Sequence, residues 1–180
     1  MHAGEFERIG KRLFLEHLVG GNFGNMSVRE GSGFFIKRTG AYLDVAEEPV
    51  FVPLTGDVPG HASSEYRVHR EVYKNTGYRA VVHAHPPFSV TASLVMDAIV
   101  PEDSEGKMFC PVIPVVTGPP GSQEIADNVG QSLRSSRLVV VRGHGTFAGG
   151  ATLDEAYVLT SLCEHACRVI ALKRSFELSG

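Results

Sequence analysis

Three histidines of this chain occupy positions from which they could bind one metal ion. His83 and His85 follow the apolar run at 80–82, and His144 follows a second apolar run at 138–141. Successive side chains of a strand point to opposite faces, so a strand ending in His-Ala-His presents both imidazoles on one face. Neutral imidazole is the commonest metal ligand, and a catalytic zinc usually takes three protein ligands and leaves one position open. A simpler interpretation stays open, in which His83 and His85 are ordinary polar residues and His144 lies in a glycine turn.

Ser63, Ser64 and Glu65 directly precede a segment with helical periodicity. Ser63 or Ser64 is predicted to be the helix N-cap. The free N–H groups of the first helical turn would then form a site for a phosphate group, and the two hydroxyls would add hydrogen bonds. The alternative is a purely structural cap, with Glu65 complementing the helix dipole.

Two turn-like segments nearer the N-terminus also fit an anion. Asn25 lies in the glycine-containing run at 21–29, where glycines allow a ligand to approach the backbone and the amide of Asn25 can donate to it. Thr39 is a small hydroxyl residue followed by Gly40, after a strand-like run. Each of these segments taken alone is typical of a plain turn.

Composition limits the classes of function. The 180 residues include 43% hydrophobic residues and are predicted to form a single domain over 1–180. The net charge of −3 is spread along the chain, so no nucleic-acid partner is expected. No apolar run has the length of a membrane span, and the N-terminus lacks the apolar segment of a signal peptide. Three cysteines form no disulfide framework, which favours the cytoplasm, and Cys163 and Cys167 are predicted to be core residues and not metal ligands.

The hydrophobic periodicity changes along the chain. It predicts an amphipathic helix first, then three short strands joined by short connections that favour antiparallel pairing, and then alternating helices and strands. The predicted helices are 5–19, 64–75, 88–96, a helix after Ser122, and a last helix from an N-cap at Thr152 to about Arg174; the predicted strands are 26–29, 33–37, 50–54, 80–85, 112–116 and 138–142. This order predicts an α/β fold, a three-layer α/β/α sandwich around a mixed sheet.

Taken together, these motifs resemble the class II aldolase/adducin family. The matching pieces follow one another in the family's order along nearly the whole chain. They are Gly-Asn-Phe-Gly-Asn-Met-Ser-Val-Arg at 21–29, Thr39-Gly40, Ser63-Ser64-Glu65, His83-Ala84-His85, and Gly143-His144-Gly145 leading into Asp154-Glu155-Ala156. The resemblance implies a mostly antiparallel central sheet. It also implies that His83, His85 and His144 bind a catalytic zinc, that Glu65 is the acid/base, and that a phosphate site is formed by Asn25, Thr39, Gly40, Ser63 and Ser64.

The function implied by the resemblance is that of a zinc-dependent aldolase. Such an enzyme would cleave a small ketose 1-phosphate, similar to L-fuculose 1-phosphate, to dihydroxyacetone phosphate and an aldehyde through a metal-bound enediolate. One zinc ion per subunit is expected, although three histidines accept other divalent ions, and the resemblance implies a homotetramer with sites at subunit interfaces. Methylthioribulose-1-phosphate dehydratase and pentulose-phosphate 4-epimerase activities are alternatives within the family. A non-catalytic, adducin-like interaction domain is the alternative outside enzymes.

Two details of this implied site concern protons. Family aldolases use a tyrosine from the stretch after the His-x-His helix, but residues 101–110 contain no tyrosine. This stretch carries Glu102, Asp103 and Glu105, which are interpreted as acids of a solvated loop or as replacements for the tyrosine. Glu65, beside a metal and a positive helix end, is expected to have a low pKa.

Overall fold

The computed structural model describes residues 2–179, which contain six helices and eight strands. The helices are α1 (Ala3–Leu15), α2 (Tyr66–Asn75), α3 (Pro87–Val95), α4 (Ser104–Phe109), α5 (Gln123–Ser132) and α6 (Leu153–Ser179). The strands are β1 (Asn25–Glu30), β2 (Gly33–Ile36), β3 (Val50–Pro53), β4 (Ala80–Ala84), β5 (Ala98–Ile99), β6 (Ile113–Val116), β7 (Leu138–Val141) and β8 (Gly145–Gly150).

The eight strands described over residues 2–179 form one sheet in the order β3-β2-β1-β4-β8-β7-β6-β5. All neighbours are antiparallel except β6 and β7, which are parallel, so the expected mixed and mostly antiparallel sheet is confirmed. The central strand β4 pairs with β1 on one side, where His83 is opposite Asn25, and with β8 on the other, where His83 is opposite Phe147. The pairing therefore brings the first and last thirds of the chain to His83.

Helices cover both faces of the sheet because neighbouring residues of the central strands are apolar on both sides. Val81 belongs to a core with side chains of α2 and α5, whereas Val82 belongs to a second core with side chains of α1 and α6. Continuous apolar runs of this kind are typical of strands buried on both faces. The predicted three-layer sandwich is confirmed.

Two strands and a helix were not predicted. The strand β8 reads Gly-Thr-Phe-Ala-Gly-Gly and has little of the β-branched and aromatic content by which strands are recognised. It is nonetheless buried at every residue, because β4 and β7 pair with it on both sides. The short elements β5 and α4 have two and six residues, which are too few for a periodic pattern, and α4 lies in the stretch at 101–110 that was interpreted as a loop.

Helix boundaries also differ from the prediction. The helix α2 begins at Tyr66 with Glu65 in the N-cap position, so the prediction of Ser63 or Ser64 as its N-cap is wrong. The predicted cap at Thr152 is confirmed by the hydrogen bond that Thr152 Oγ1 accepts from the Glu155 backbone N–H at 3.2 Å. Cys163 and Cys167 are buried in the core, as predicted. None of the helices described over residues 2–179 is both long enough and apolar enough to cross a membrane.

Candidate metal centre

The three histidines converge at one end of the two central strands. His83 lies in β4, His85 is the first residue after this strand, and His144 lies in the tight turn between β7 and β8. Because β8 pairs with both β4 and β7, this turn lies beside the end of β4. One ring nitrogen from each histidine lies within 4.8 Å of those of the other two, and this group could hold a metal ion. His144 thus occupies a glycine turn, and its imidazole still reaches the other two.

The ring nitrogens of this group are arranged for a cation. His83 Nδ1 donates to the backbone carbonyl of Thr146 at 2.9 Å, which leaves the lone pair of its Nε2 free. His83 Nε2 and His85 Nε2 lie 2.9 Å apart, so one nitrogen must carry a proton unless a metal ion accepts both lone pairs. His144 Nδ1 is buried and has no hydrogen-bond partner among residues 2–179. These three observations fit a divalent metal ion.

The protonation state of the histidines also suits metal binding. Burial lowers the pKa of His83 well below its usual value, and the neighbouring His85 and His144 lower it further. Burial, His144 and Lys37 lower the pKa of His85 to about 4. Burial likewise lowers the pKa of His144. All three are therefore neutral near pH 7, which is the form that binds metals.

Gly145, the first residue of β8, allows β8 to approach the end of β4 closely. A Cβ at this residue would lie 2.2 Å from the Ala84 carbonyl oxygen, 2.9 Å from His85 Cδ2 and 3.1 Å from His83 Cε1. We expect Gly145→Ala to lower the free energy of unfolding by about 1–3 kcal/mol, because the strands must move apart, and to weaken metal binding. Thermal unfolding and metal content measure both effects. Gly77→Ala is the matched control because a Cβ there meets no atom within 4 Å, and an equal loss in both variants would contradict the explanation.

The other predicted site residues line the same cavity as the histidines. This cavity has a volume of about 270 Å³. Its walls include Asn25, Thr39, Gly40, Ser63, Ser64, Glu65, His83, His85 and His144, which is the whole predicted set, and also Asn22, Phe23, Gly24 and Lys37. The Ser63 and Ser64 residues thus lie beside the α2 N-terminus, in a cavity that the three imidazoles share. Such a cavity can take a small ligand with both an anionic group and metal-binding oxygens.

Glu65 is 7% exposed and sits in the N-cap position of α2. Its Oε2 atom is buried and has no hydrogen-bond partner among residues 2–179, so this oxygen is available to a ligand. Burial raises the pKa of Glu65, and the backbone of Gly121 opposes this effect by a hydrogen bond. In the protein alone, the effect of burial on the pKa of Glu65 is therefore larger than that of the helix N-terminus. The pKa is raised, and the low pKa expected from the sequence is wrong for this state. A raised pKa favours the protonated form of the carboxyl group, which can donate a proton to a ligand.

Lys37 is a cavity residue that the sequence interpretation missed. It is 7% exposed, and its ammonium group donates to the Asn22 carbonyl at 2.6 Å. Burial lowers the pKa of Lys37 to about 8, and Glu47 opposes this effect. A lysine after a strand is normally solvated, so residue type alone carries no signal. Its position two residues before Thr39 is the one hint in the sequence.

The acids at 102–105 are engaged elsewhere. The Glu102 carboxylate binds the Lys173 ammonium at 2.5 Å, and Asp103 caps α4 by accepting from the Gly106 backbone N–H at 2.8 Å. Glu105 lines a different cavity, against α6. Among the described residues of this chain, none of the three acids lines the histidine cavity. Asp103 is the N-cap of α4 and Glu105 lies in its first turn, whereas Glu102 precedes the helix and is exposed to solvent.

Comparisons with known proteins identify the family of this chain. Residues 5–171 match the family described as Class II Aldolase and Adducin N-terminal domain. The chain is 29% identical over 174 residues to L-fuculose phosphate aldolase of Methanococcus maripaludis, with 94% of this chain and 96% of the relative covered. It is 32% identical over 157 residues to 5-methylthioribulose-1-phosphate/5-deoxyribulose-1-phosphate aldolase of Escherichia coli, with coverage of 80% and 71%.

A solved structure supports the same relationship. The crystal structure of L-fuculose-1-phosphate aldolase from Thermus thermophilus superposes with a TM-score of 0.96 at 35% sequence identity. The match covers 98% of this chain and 96% of that one. The fold expected from the motifs is therefore confirmed, and this chain is an enzyme that belongs to the class II aldolase/adducin family.

Proposed function

We propose that residues 1–180 form one zinc-dependent aldolase domain that acts in the cytoplasm. Its substrate is a small ketose 1-phosphate, similar to L-fuculose 1-phosphate, and its products are dihydroxyacetone phosphate and an aldehyde. The observation that carries the proposal is the shared cavity, in which three neutral imidazoles, the free carboxyl oxygen of Glu65 and a set of anion-binding groups meet. The names of the Thermus and Methanococcus relatives support the substrate class.

The proposed reaction is a retro-aldol cleavage. The hydroxyl group on the carbon that becomes the aldehyde gives its proton to solvent water, the adjacent carbon–carbon bond breaks, and the electron pair of that bond moves toward the ketone oxygen. Zinc held by His83, His85 and His144 would supply Lewis-acid stabilisation of the charge that develops on oxygen. Glu65 Oε2 then delivers a proton to the carbon that has lost this bond and that remains part of dihydroxyacetone phosphate. The burial of this carboxyl group favours its protonated form and so supports this role.

Binding of the phosphate group positions the substrate. We assign this role to Asn25, Thr39, Gly40, Ser63 and Ser64, all of which line the cavity. The Lys37 ammonium lies in the wall of the same cavity and adds a positive charge. Contacts far from the reacting bond hold the substrate in place without taking part in its chemistry.

Lys37→Met should therefore raise KM for the phosphorylated ketose and change kcat little. Loss of one charged hydrogen bond corresponds to a KM increase of about tenfold or more. Steady-state kinetics at fixed zinc concentration measure the two constants. Lys37→Arg keeps the charge and is the matched comparison; a lower kcat with unchanged KM in Lys37→Met would contradict the phosphate role.

A panel of substrates tests the proposed reaction against its alternatives. The zinc-loaded protein is incubated with L-fuculose 1-phosphate, methylthioribulose 1-phosphate, 5-deoxyribulose 1-phosphate and a pentulose 5-phosphate, and the products are identified by NMR. Dihydroxyacetone phosphate from a ketose 1-phosphate supports the aldolase. Loss of water from the substrate identifies a dehydratase, and inversion of one carbon identifies an epimerase. A protein that retains no zinc and turns over none of these substrates is an adducin-like interaction domain.

The two 5-substituted substrates are included for a structural reason as well. Phe23 is 62% exposed at the cavity wall, and its ring stacks on His85 with centroids 5.8 Å apart. An exposed aromatic ring offers an apolar surface to a methyl or methylthio group at the end of the substrate, and L-fuculose 1-phosphate, a 6-deoxy sugar, also has such an end. The name of the Escherichia coli relative includes two such substrates. A 5-deoxy or 5-methylthio ketose 1-phosphate is therefore our second candidate substrate.

We also propose that the chain assembles as a homotetramer with its sites at subunit interfaces. Six large apolar side chains are exposed from α3 to the residue before β6, and clusters of exposed apolar side chains mark contact regions between proteins. These side chains are Leu94, Val95, Val100, Met108, Phe109 and Val112. Light scattering should give the mass of four chains of 19.4 kDa. A monomer with full activity would contradict the assembly.

A further inference from the structure

A chain of hydrogen bonds runs through the protein interior behind the cavity wall. His69, on α2, is fully buried, and both of its ring nitrogens are bonded. Its Nε2 lies 2.5 Å from Asn25 Oδ1, and its Nδ1 lies 2.6 Å from Ser27 Oγ. The Tyr73 hydroxyl ends the chain, 2.7 Å from Ser27 Oγ and 3.0 Å from the Ser27 carbonyl oxygen. Of these residues, Asn25 lines the cavity.

Helix and strand geometry explain how this chain is built. His69 and Tyr73 are four residues apart on α2, so they lie on one face of the helix, about 6 Å apart along its axis. Asn25 and Ser27 are two residues apart on β1, on one face of the strand and about 6.7 Å apart. The two spacings nearly match, so the two side chains of α2 can both contact the two side chains of β1.

The donor and the acceptor of each bond in this chain of hydrogen bonds can be assigned. A carbonyl oxygen only accepts, so the hydrogen between His69 Nε2 and Asn25 Oδ1 belongs to the imidazole. Burial lowers the pKa of His69 to about 3, which keeps the ring neutral with a single N–H. Its Nδ1 must then accept from the Ser27 hydroxyl, and Tyr73 donates toward Ser27. The amide nitrogen of Asn25 is the end that His69 does not hold.

We propose that His69 is a positioning residue, which holds the Asn25 side chain so that its Nδ2 donates to the phosphate group of the substrate. This inference rests on the proposed function, because it assumes an anion beside Asn25. Without the His69 bond the amide can turn over and present its carbonyl oxygen to the anion, which repels it. His69 would thus act on substrate affinity without touching the substrate.

A double-mutant cycle on phosphate binding tests this proposal. Inorganic phosphate is titrated into the zinc-loaded tetramer or whichever assembly is purified, and Kd is measured by calorimetry. We expect Asn25→Ala to weaken phosphate binding about tenfold or more, because it removes one hydrogen bond to a charged group, and His69→Leu to weaken it by a similar factor, because the Asn25 amide is then no longer held toward the phosphate. In the double variant the loss should be no larger than in Asn25→Ala alone, because His69 acts through Asn25.

Val68→Ala is the control for general destabilisation. Val68 is the residue before His69, is fully buried, and takes no part in the hydrogen-bonded chain. It should lower the thermal stability and leave the phosphate Kd unchanged. Losses that multiply in the double variant, or a weaker Kd in Val68→Ala, overturn the His69 assignment alone. A wild-type protein that binds no phosphate overturns both this assignment and the proposed phosphate site.

Two measurements leave His69 unchanged and test the proposal if His69→Leu does not fold. Ser27→Ala removes the donor that fixes the His69 ring, and it should weaken phosphate binding to a smaller extent than Asn25→Ala. Nitrogen-15 NMR of the wild-type imidazole should show a protonated Nε2 and an unprotonated Nδ1. The opposite tautomer would overturn the proposal, because Asn25 would then donate to His69 and present its oxygen to the cavity.

Discussion

Glu65→Gln should keep its metal and lose turnover of the phosphorylated ketose. Glutamine has nearly the shape of glutamate, so the N-cap region and the nearby imidazoles stay in place. It cannot deliver the proton that we assign to Glu65 Oε2, and general acid–base catalysis contributes about 10²–10⁴-fold to a rate. We therefore expect kcat to fall by about this factor while KM and zinc content stay close to wild type. Steady-state kinetics and elemental analysis measure these quantities.

Glu71→Gln is the control for this substitution. Glu71 lies on the same helix, and its carboxylate pairs with Lys74 on the surface at 2.9 Å. It should change kcat by less than about twofold, since Glu71 does not line the histidine cavity. Turnover near wild type in Glu65→Gln would remove Glu65 from the proposed reaction.

His83→Ala should lose both the metal and turnover. The substitution removes one of three nitrogen donors, and loss of even an outer-shell partner of a metal ligand costs about 10–100-fold in affinity. We expect a larger loss of zinc affinity for His83→Ala, with no stoichiometric zinc after dialysis and no detectable product. It should also lower the thermal stability, because the fully buried His83 ring stacks on Phe147 with centroids 4.0 Å apart.

The control for His83→Ala is His165→Ala, at an exposed histidine of α6. Its zinc content and turnover should match those of wild type. One zinc ion per chain retained in His83→Ala would contradict the three-histidine site. The contrast between the two site variants is informative in itself, since Glu65→Gln separates chemistry from metal binding and His83→Ala removes both.

The layers of the fold could be predicted from the sequence because its pattern is regular. Runs such as 80–82 and 138–141 are apolar at every residue, and only strands with cores on both faces bury such runs. The strand β8 could not be predicted in this way. Its three glycines have poor strand propensity, and the pairing with β4 and β7 stabilises it instead.

Some residues of the candidate site could also be predicted from local sequence patterns, and others could not. His83, His85 and Glu65 stand at the ends of elements in recognisable motifs, so they could be picked out one by one. Lys37 and His69 could not, because their importance depends on which elements become neighbours. His69 contacts Asn25 because α2 packs over β1. Lys37 lies in the cavity wall, where its ammonium group donates to the Asn22 carbonyl. The pKa of Glu65 depends in the same way on burial that no local pattern reports.

The most direct test of the metal centre is the dependence of product release on zinc. The protein is stripped with a chelator, zinc is added back in steps, and dihydroxyacetone phosphate released from L-fuculose 1-phosphate is measured at each step. The proposed mechanism predicts no release from the stripped protein and a linear rise that ends at one zinc ion per chain. Release that continues at full rate without metal, or that fails to follow zinc in the wild type, would contradict a catalytic metal held by His83, His85 and His144.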